Sequence, residues 1–505
     1  MGARKKYIEV NVLPSKLKLT DSSNSMLTIL LFPVFWVLVV SLCLVSLKSK
    51  LRAFQKQPPF KKIPRSHRNV EGKKITQGPE ISEKNKNQYG SIYSHRDGFR
   101  YEVVLTTPSQ LKQYYSLHTK DHKKLDSFGA GQYLVALLGE CLGFQNGELW
   151  TRMRKLFNLF FTHTLAAKTL PAMIAFIDGW ILEHDSQNEF SVDAFDFVAT
   201  VPFTCIAKYL YGNEQCSGRV LTELKNLVPL HSELMTHAFT TFWGRFKIYQ
   251  YFPFQRMKDL RFFQDSFKSL SLAMVELARD AENLTVASEL YKLVESRDLT
   301  LDNWIQSLDE ILFANIDVTA TIMSWSLVEM GRNKQEQARL RLEVLENLQL
   351  VDEYCKRTDT VLHRVLLEIL RLHPLLWYGF PEQSSSAMVI DGHKIEANTP
   401  IVVDQYQLNY KSPLWNPADK STDYGATFDS DRFLGLNNRD ILMSSVTFGS
   451  GPRRCLGKNF AEVLIKTEIA KVLSTFEVAL EGELKVAADT FVVRPDAQIK
   501  LTRLI

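Results

Sequence analysis

The chain has no CxxC pair and no regular cysteine spacing. Its six cysteines, Cys43, Cys141, Cys205, Cys216, Cys355 and Cys455, are scattered over 505 residues, which argues against a zinc site and against a disulfide framework. Strong charge of one sign is also missing. The formal net charge of +5 is too small to point to nucleic acid. There is no internal repeat of useful length and no low-complexity tract, so a repeat array is excluded.

What is present is an ordinary globular composition, 45% hydrophobic and 23% charged, in a chain longer than a single small core supports. Most of the cysteines read as small buried hydrophobes in a reducing compartment. One long apolar run stands apart. Met26 to Leu47 carries no formal charge, and a helix of that length covers about 33 Å at about 1.5 Å per residue, enough for a bilayer core. A cleaved signal peptide fits less well, because its apolar core would be shorter and would end in small residues. Lys48, Lys50, Arg52, Lys56, Lys61, Lys62, Arg65 and Arg68 follow the run before any acid, and this positive flank predicts a cytoplasmic body. Pro58, Pro59 and Pro64 make the next stretch a stiff spacer. The expected organisation is therefore an N-terminal lumenal segment (1–25), a transmembrane helix (26–47), a basic, proline-containing linker (48–69) and a catalytic domain (70–505).

From about Val70 to Leu111, short apolar runs such as "RYEVVLTT" suggest a small sheet. Helical periodicity then dominates, over Leu149–Phe161, Leu221–His237, Phe262–Leu284, Leu301–Met330, Lys334–Leu348, Thr360–Leu372 and Leu456–Thr475. Strand patterning returns at Val389–Gln405 and at the C-terminus. The reading is a mainly α protein, a large helical lobe with small peripheral β-sheets.

One stretch carries chemistry. In "FGSGPRRCLG", Phe448 to Gly457, Cys455 sits in a glycine- and proline-containing loop beside Arg453 and Arg454 and just before a helix. A helix N-terminus and neighbouring cations favour a thiolate, and glycines let a bulky ligand approach. Cys455 is thus a candidate metal ligand or nucleophile. Nucleophilic catalysis fits less well, since no adjacent histidine offers itself as a base.

The spacing Phe448-x-x-Gly451-x-Arg453-x-Cys455-x-Gly457 resembles the haem-ligand signature of the cytochrome P450 superfamily. Three more elements follow the family's order. Glu368-x-x-Arg371 with His373-Pro374 resembles its ExxR motif, "FDSDRF" the segment whose Arg432 completes an ionic cluster, and "LWTRMRK" the helix whose Trp150 and Arg154 contact a haem propionate. Glu368 and Arg371 lie one turn apart on a helix, so they share a face and can pair with Arg432. The resemblance spans nearly everything after the apolar run. It implies the cytochrome P450 fold, a bound haem b with Cys455 as axial ligand of the iron, and a thiolate that favours O–O cleavage.

Two departures qualify the resemblance. The oxygen-binding helix of the family runs Ala/Gly-Gly-x-Asp/Glu-Thr-Thr/Ser, whereas this chain reads Ala314-Asn315-Ile316-Asp317-Val318-Thr319. Asp317 matches, but Val318 stands where an alcohol is usual, and Thr319 lies about 100° further round an ideal helix. A local bulge could bring Thr319 back. Asp317, Thr319 and Asn315 are therefore the candidate catalytic residues, with a distant Arg or Lys as the alternative partner of Asp317. Second, many relatives carry an Arg near Glu382 or Gln383 that grips a propionate, and this chain does not.

The resemblance further implies a monooxygenase that uses O2 and electrons from NADPH through a separate NADPH–cytochrome P450 reductase, with cytochrome b5 as a second candidate donor. The reductase would dock beside Arg454, Lys458 and Lys466. The aromatic run His237–Phe254 reads as pocket roof, interfacial anchor or core. With Ser127–Phe144 it suggests a hydrophobic small-molecule substrate, and the motif details are similar to fungal members of secondary-metabolite pathways. The implied location is the endoplasmic reticulum membrane, single-pass, with the catalytic domain cytoplasmic. Val318 keeps open a haem-thiolate isomerase, dehydratase or ring-forming enzyme; a non-enzymatic haem-binding protein is a further alternative.

Overall fold

The computed structural model describes residues 63–504 apart from 75, 117–121, 126–130, 185–187, 283, 315, 418–419, 422–423, 488–489 and 491. The apolar run 26–47, the first part of the linker and Asn315 lie outside the described residues. The residues described belong to one unit, Phe60–Ile505.

The strands are β1 (Arg65–Asn69), β2 (Ile92–Asp97), β3 (Arg100–Leu105), β4 (His122–Lys124), β5 (Glu189–Asp193), β6 (Glu382–Ser384), β7 (Met388–Ile390), β8 (His393–Ile395), β9 (Ile401–Val403), β10 (Phe476–Val486) and β11 (Pro495–Arg503). They form a six-stranded sheet of order β1-β2-β3-β9-β6-β4, a three-stranded sheet β10-β11-β5 and a hairpin β7-β8. β1 falls in the stretch read as linker. Its "RSHRN" has no apolar alternation, and it is recruited by parallel pairing with β2.

Helices make up the rest, and seven bear on the site: α1 (Gly147–Asn158), α2 (His163–His184), α3 (Val228–Thr240), α4 (Leu301–Leu312), α5 (Ile316–Arg332), α6 (Val361–Leu372) and α7 (Lys458–Thr475). Their starts have clear local causes. Thr300 accepts from Asn303 N while the Asn303 side chain accepts from Thr300 N, a reciprocal cap for α4. Thr360 caps α6 through His363 N. α5 is buried on nearly every side from Thr319 to Gly331, which marks it as the central helix of the lobe rather than a surface element. α2 and α7 pack against each other in the same core, where Leu170, Ile177, Leu464 and Leu473 are fully buried.

Leu301–Met330, read from periodicity as one helix, is two. Phe313 N and Ala314 N both donate to Asp309 O, at 2.8 and 3.2 Å, and Ile316 N donates to Phe313 O at 3.2 Å. The bond from residue 314 to residue 309 spans five residues, a π-type bulge, and such bulges concentrate at functional sites. Asp309 itself is held from the side chain. It faces His231 of α3, Oδ1 to Nε2 at 3.0 Å, and both groups are buried.

Candidate haem site

The loop that carries Cys455 is closed by its own backbone. Cys455 N donates to Phe448 O at 2.8 Å and Gly449 N to Val446 O at 2.8 Å. Gly451 has φ +69°, and a Cβ there would stand 2.6 Å from the ring of Tyr115. Glycine is thus required twice over, for the left-handed backbone and for the close approach. Gly457 forms the N-cap of α7, and the space on its Cα is bounded by the Cys455 sulfur at 4.0 Å. Phe448 is half-buried, with Lys458 Nζ 5.9 Å from its ring centroid.

Cys455 keeps accessible surface, unlike Cys141, Cys205, Cys216 and Cys355, which are buried. Burial of the thiol by its surroundings nonetheless pushes its pKa up, against the Gly457 and Lys458 N–H groups and the Arg154 charge, which pull it down. The helix N-terminus acts as the sequence suggested. The cation acting on the sulfur, however, is Arg154 from α1 rather than the adjacent Arg453 or Arg454.

Arg453 turns the other way. It donates from Nη1 to Gln145 O at 2.9 Å and from Nη2 to Asn146 Oδ1 at 2.5 Å, and its guanidinium carbon lies 3.9 Å from the Trp150 ring centroid. Burial lowers its pKa to about 10. Trp150 and Arg154 lie one turn apart on α1, so the stacked Arg453 and Arg154 share a wall beside the thiol. Arg453 Nε is buried with no partner among the described residues. A half-buried Arg154, an orphaned guanidinium N–H and an accessible thiol at a helix start form a donor set that fits an iron porphyrin with anionic side chains.

The Glu368 cluster lies behind this loop. Arg371 donates from Nε to Glu368 Oε2 at 2.7 Å and from Nη2 to Oε1 at 2.8 Å, and Arg432 Nε reaches Oε1 at 3.0 Å. The remaining guanidinium donors go to main-chain oxygens: Arg371 to Asn409 and Gly425, Arg432 to Trp415, Tyr424 and Thr427. The cluster thereby fixes a segment with little regular structure to α6. Thr447 Oγ1 donates to Leu370 O at 2.8 Å and ties the Cys455 loop to the same helix. His373 stacks on Trp325 at 3.7 Å, and its Nε2 lies 2.9 Å from Glu329 Oε1.

Between Asp309 and Thr319, where α4 gives way to α5, the described residues with accessible surface are Glu310, Ile311, Ala314, Asp317 and Val318, the open face of this junction. Asp317 and Val318 belong to it. Thr319 does not: it is 8% exposed and turned into packing, so the bulge leaves it off the open face. Burial raises the Asp317 pKa, while Arg494 and His231 pull it down. Arg494 is thus a distant arginine whose charge acts on Asp317. Lys466, expected at a docking surface, is 3% exposed and donates to Cys355 O and Arg357 O at 3.2 and 2.7 Å. Periodicity missed it because an amine that satisfies helix-end carbonyls can be buried.

The run 237–254 exposes the aromatics Phe242, Trp243, Tyr251 and Phe254. It is joined to the neighbouring wall by Gln250 Nε2 donating to Gln132 O and Tyr133 OH donating to Arg256 O.

A cytochrome P450 family model matches residues 63–503. The chain is 51% identical over 456 residues to the cytochrome P450 monooxygenase PUL2 of Kluyveromyces lactis, covering 88% of this chain and 89% of that protein. It is 29% identical to the cytochrome P450 monooxygenase asaD of Aspergillus flavus, over 85% of this chain and 83% of the relative. A zebra fish cytochrome P450 solved with progesterone superposes with a TM-score of 0.67 at 17% identity, over 85% of this chain and 99% of that one.

Proposed function

The chain belongs to the cytochrome P450 family, and from that premise we propose that it is a membrane-anchored monooxygenase acting on a hydrophobic small molecule, a secondary-metabolite intermediate. Its relatives are cytochrome P450 monooxygenases, and the cofactor of the family is haem b. Electrons would come from NADPH through a separate reductase. The accessible Cys455 thiol at the start of α7, with Arg154 acting on it, carries the reading.

When bound, the haem supplies oxygen activation through its thiolate-ligated iron. The protein supplies the rest. Cys455 Sγ would be the iron ligand, and Gly457 leaves room beside the sulfur. Trp150, Arg154 and Arg453 would hold the propionate side, Phe448 and Gly451 shape the ligand loop, and Glu368, Arg371 and Arg432 pin the segment 409–432 to α6, the helix to which Thr447 ties that loop. On the open face the Asp317 carboxyl, whose pKa burial raises against the pull of Arg494 and His231, would take up and release a proton. Val318 offers no hydroxyl to pass it on, so the last transfer falls to water or to a polar group of the substrate. The apolar Ile311, Ala314 and Val318 favour an apolar substrate body there.

Membrane attachment rests on the sequence of residues 26–47 and its positive flank. The exposed aromatics of the roof, Trp243 and Tyr251 among them, suit an interfacial position. An endoplasmic reticulum location with a cytoplasmic body follows from the same reading. A reductase, or cytochrome b5, would meet the exposed Arg454 and the neighbouring Lys458. NADPH consumption coupled to a mass-shifted product, with reductase and cell extract supplied, tests the proposal; NADPH-independent conversion would instead favour the isomerase or dehydratase reading.

A further inference from the structure

The resemblance led to an arginine near residue 382 as a grip for a haem carboxylate, and the chain has Glu382. A lone acid on that wall would repel such a group, but Glu382 is not alone. β4 pairs antiparallel with β6 in the register Lys124↔Glu382 and His122↔Ser384. Directly opposed side chains in an antiparallel pair share a face, and so do residues two apart on one strand. Lys124 Nζ accordingly lies 2.7 Å from Glu382 Oε1 and His122 Nδ1 3.5 Å from Oε2, with the three side chains at most 15% exposed. His122 stacks on Tyr115 at 5.6 Å, and Tyr115 is the ring lying against Gly451 of the Cys455 loop.

Asn146 makes this pair continuous with the arginines. Its Oδ1 accepts from Lys124 N at 3.0 Å and from Arg453 Nη2, and its Nδ2 donates to Lys124 O at 3.1 Å. One side chain thus welds β4 to the start of α1 and to Arg453. The resulting wall runs from Glu382 through Lys124, Asn146 and Arg453 to Trp150, with Arg154 one turn further on. Its cations, Lys124, Arg453 and Arg154, outnumber the acids that act on them, Glu382 and Glu310. An ammonium has three donors, and Glu382 takes one of those of Lys124.

Resting on the haem-thiolate reading above, we propose that Lys124, presented by β4 and held in place by Glu382, receives the second carboxylate of the haem. The clamp is built from β4 where the family pattern pointed to β6, and Glu382 acts as a positioning residue.

The test uses two iron porphyrins that differ only at the carboxylates: haem b and its dimethyl ester, each loaded into the full-length protein, with loss to excess apomyoglobin as the readout. Lys124→Gln should speed loss of haem b by about tenfold, the scale of one charge-assisted hydrogen bond, and loss of the ester by less than about twofold. Lys124→Arg should restore retention of haem b. Equal acceleration of both porphyrins would show that Lys124 only clips β4 to β6, and no acceleration of either would remove it from the site. A parent with a thiolate-type Soret band that releases the two porphyrins at the same rate overturns the Lys124 assignment, and with it the propionate contacts of Trp150, Arg154 and Arg453, while the thiolate reading stands. A parent that takes up haem without that band overturns the haem-thiolate reading and this one with it.

Discussion

Arg371 meets both carboxylate oxygens of Glu368 side-on, at 2.7 and 2.8 Å, with neither side chain exposed to solvent. A planar guanidinium suits this two-point contact in a way that a lysine does not. Arg432 and the Asp429 N–H then occupy the remaining capacity of Oε1, at 3.0 and 2.9 Å.

Removing the acid strands two buried cations. Glu368→Gln should therefore cost about 3–5 kcal/mol of stability and lower the thermal unfolding midpoint of purified protein. Retention of the parent midpoint would show that the arginines are satisfied by the main-chain oxygens alone.

The open face of α4 and α5 makes position 318 informative. Val318→Thr puts a hydroxyl next to Asp317 on that face and should raise the ratio of product formed to NADPH consumed. Asp317→Asn should lower the same ratio, because the amide cannot give up a proton and take it back. Identical ratios in all three proteins would place proton delivery elsewhere.

Glu468, on α7, is buried, and among the described residues Ser326 of α5 alone donates to it, at 3.1 Å. Burial pushes its pKa well above the ordinary 4.5. In the unfolded chain the acid ionises near the ordinary value while the folded form keeps its proton, so folded stability falls as pH rises above 4.5. Glu468→Gln removes that loss. Its stability advantage over the parent in urea unfolding should be larger at neutral than at acid pH, and an advantage that grows toward acid would reverse the assignment.

Lys466 caps the main-chain oxygens of Cys355 and Arg357 from a buried position. Lys466→Met should reduce stability by about 1–3 kcal/mol and leave the half-saturating reductase concentration unchanged. Arg454→Glu, at an exposed position, should raise that concentration with stability intact. The opposite pattern would return Lys466 to the docking face.

The parts of the site that sequence exposed are those held by short, rigid spacing. The Cys455 loop is defined by glycines at positive φ, a geometry other residues adopt rarely, and Glu368 with Arg371 by one helical turn. What stayed hidden depends on contacts between distant segments. The three-residue strands β4 and β6 are too short to show alternation, so the Lys124–Glu382 pair was invisible and Glu382 read only as a missing arginine. The bulge at Asp309 to Ala314 leaves the apolar periodicity of Leu301–Met330 intact, so one helix was expected. Arg454, adjacent to Cys455 in sequence, is exposed, and the cation acting on the thiol comes from Arg154, some three hundred residues away in the chain.

The central claim is that Cys455 ligates a haem iron. The most direct measurement is the difference spectrum of the reduced, carbon-monoxide-treated protein, parent beside Cys455→Ala. The account predicts a thiolate-type Soret band in the parent and its loss in the variant. A Cys455→Ala protein that keeps the parent band would contradict it.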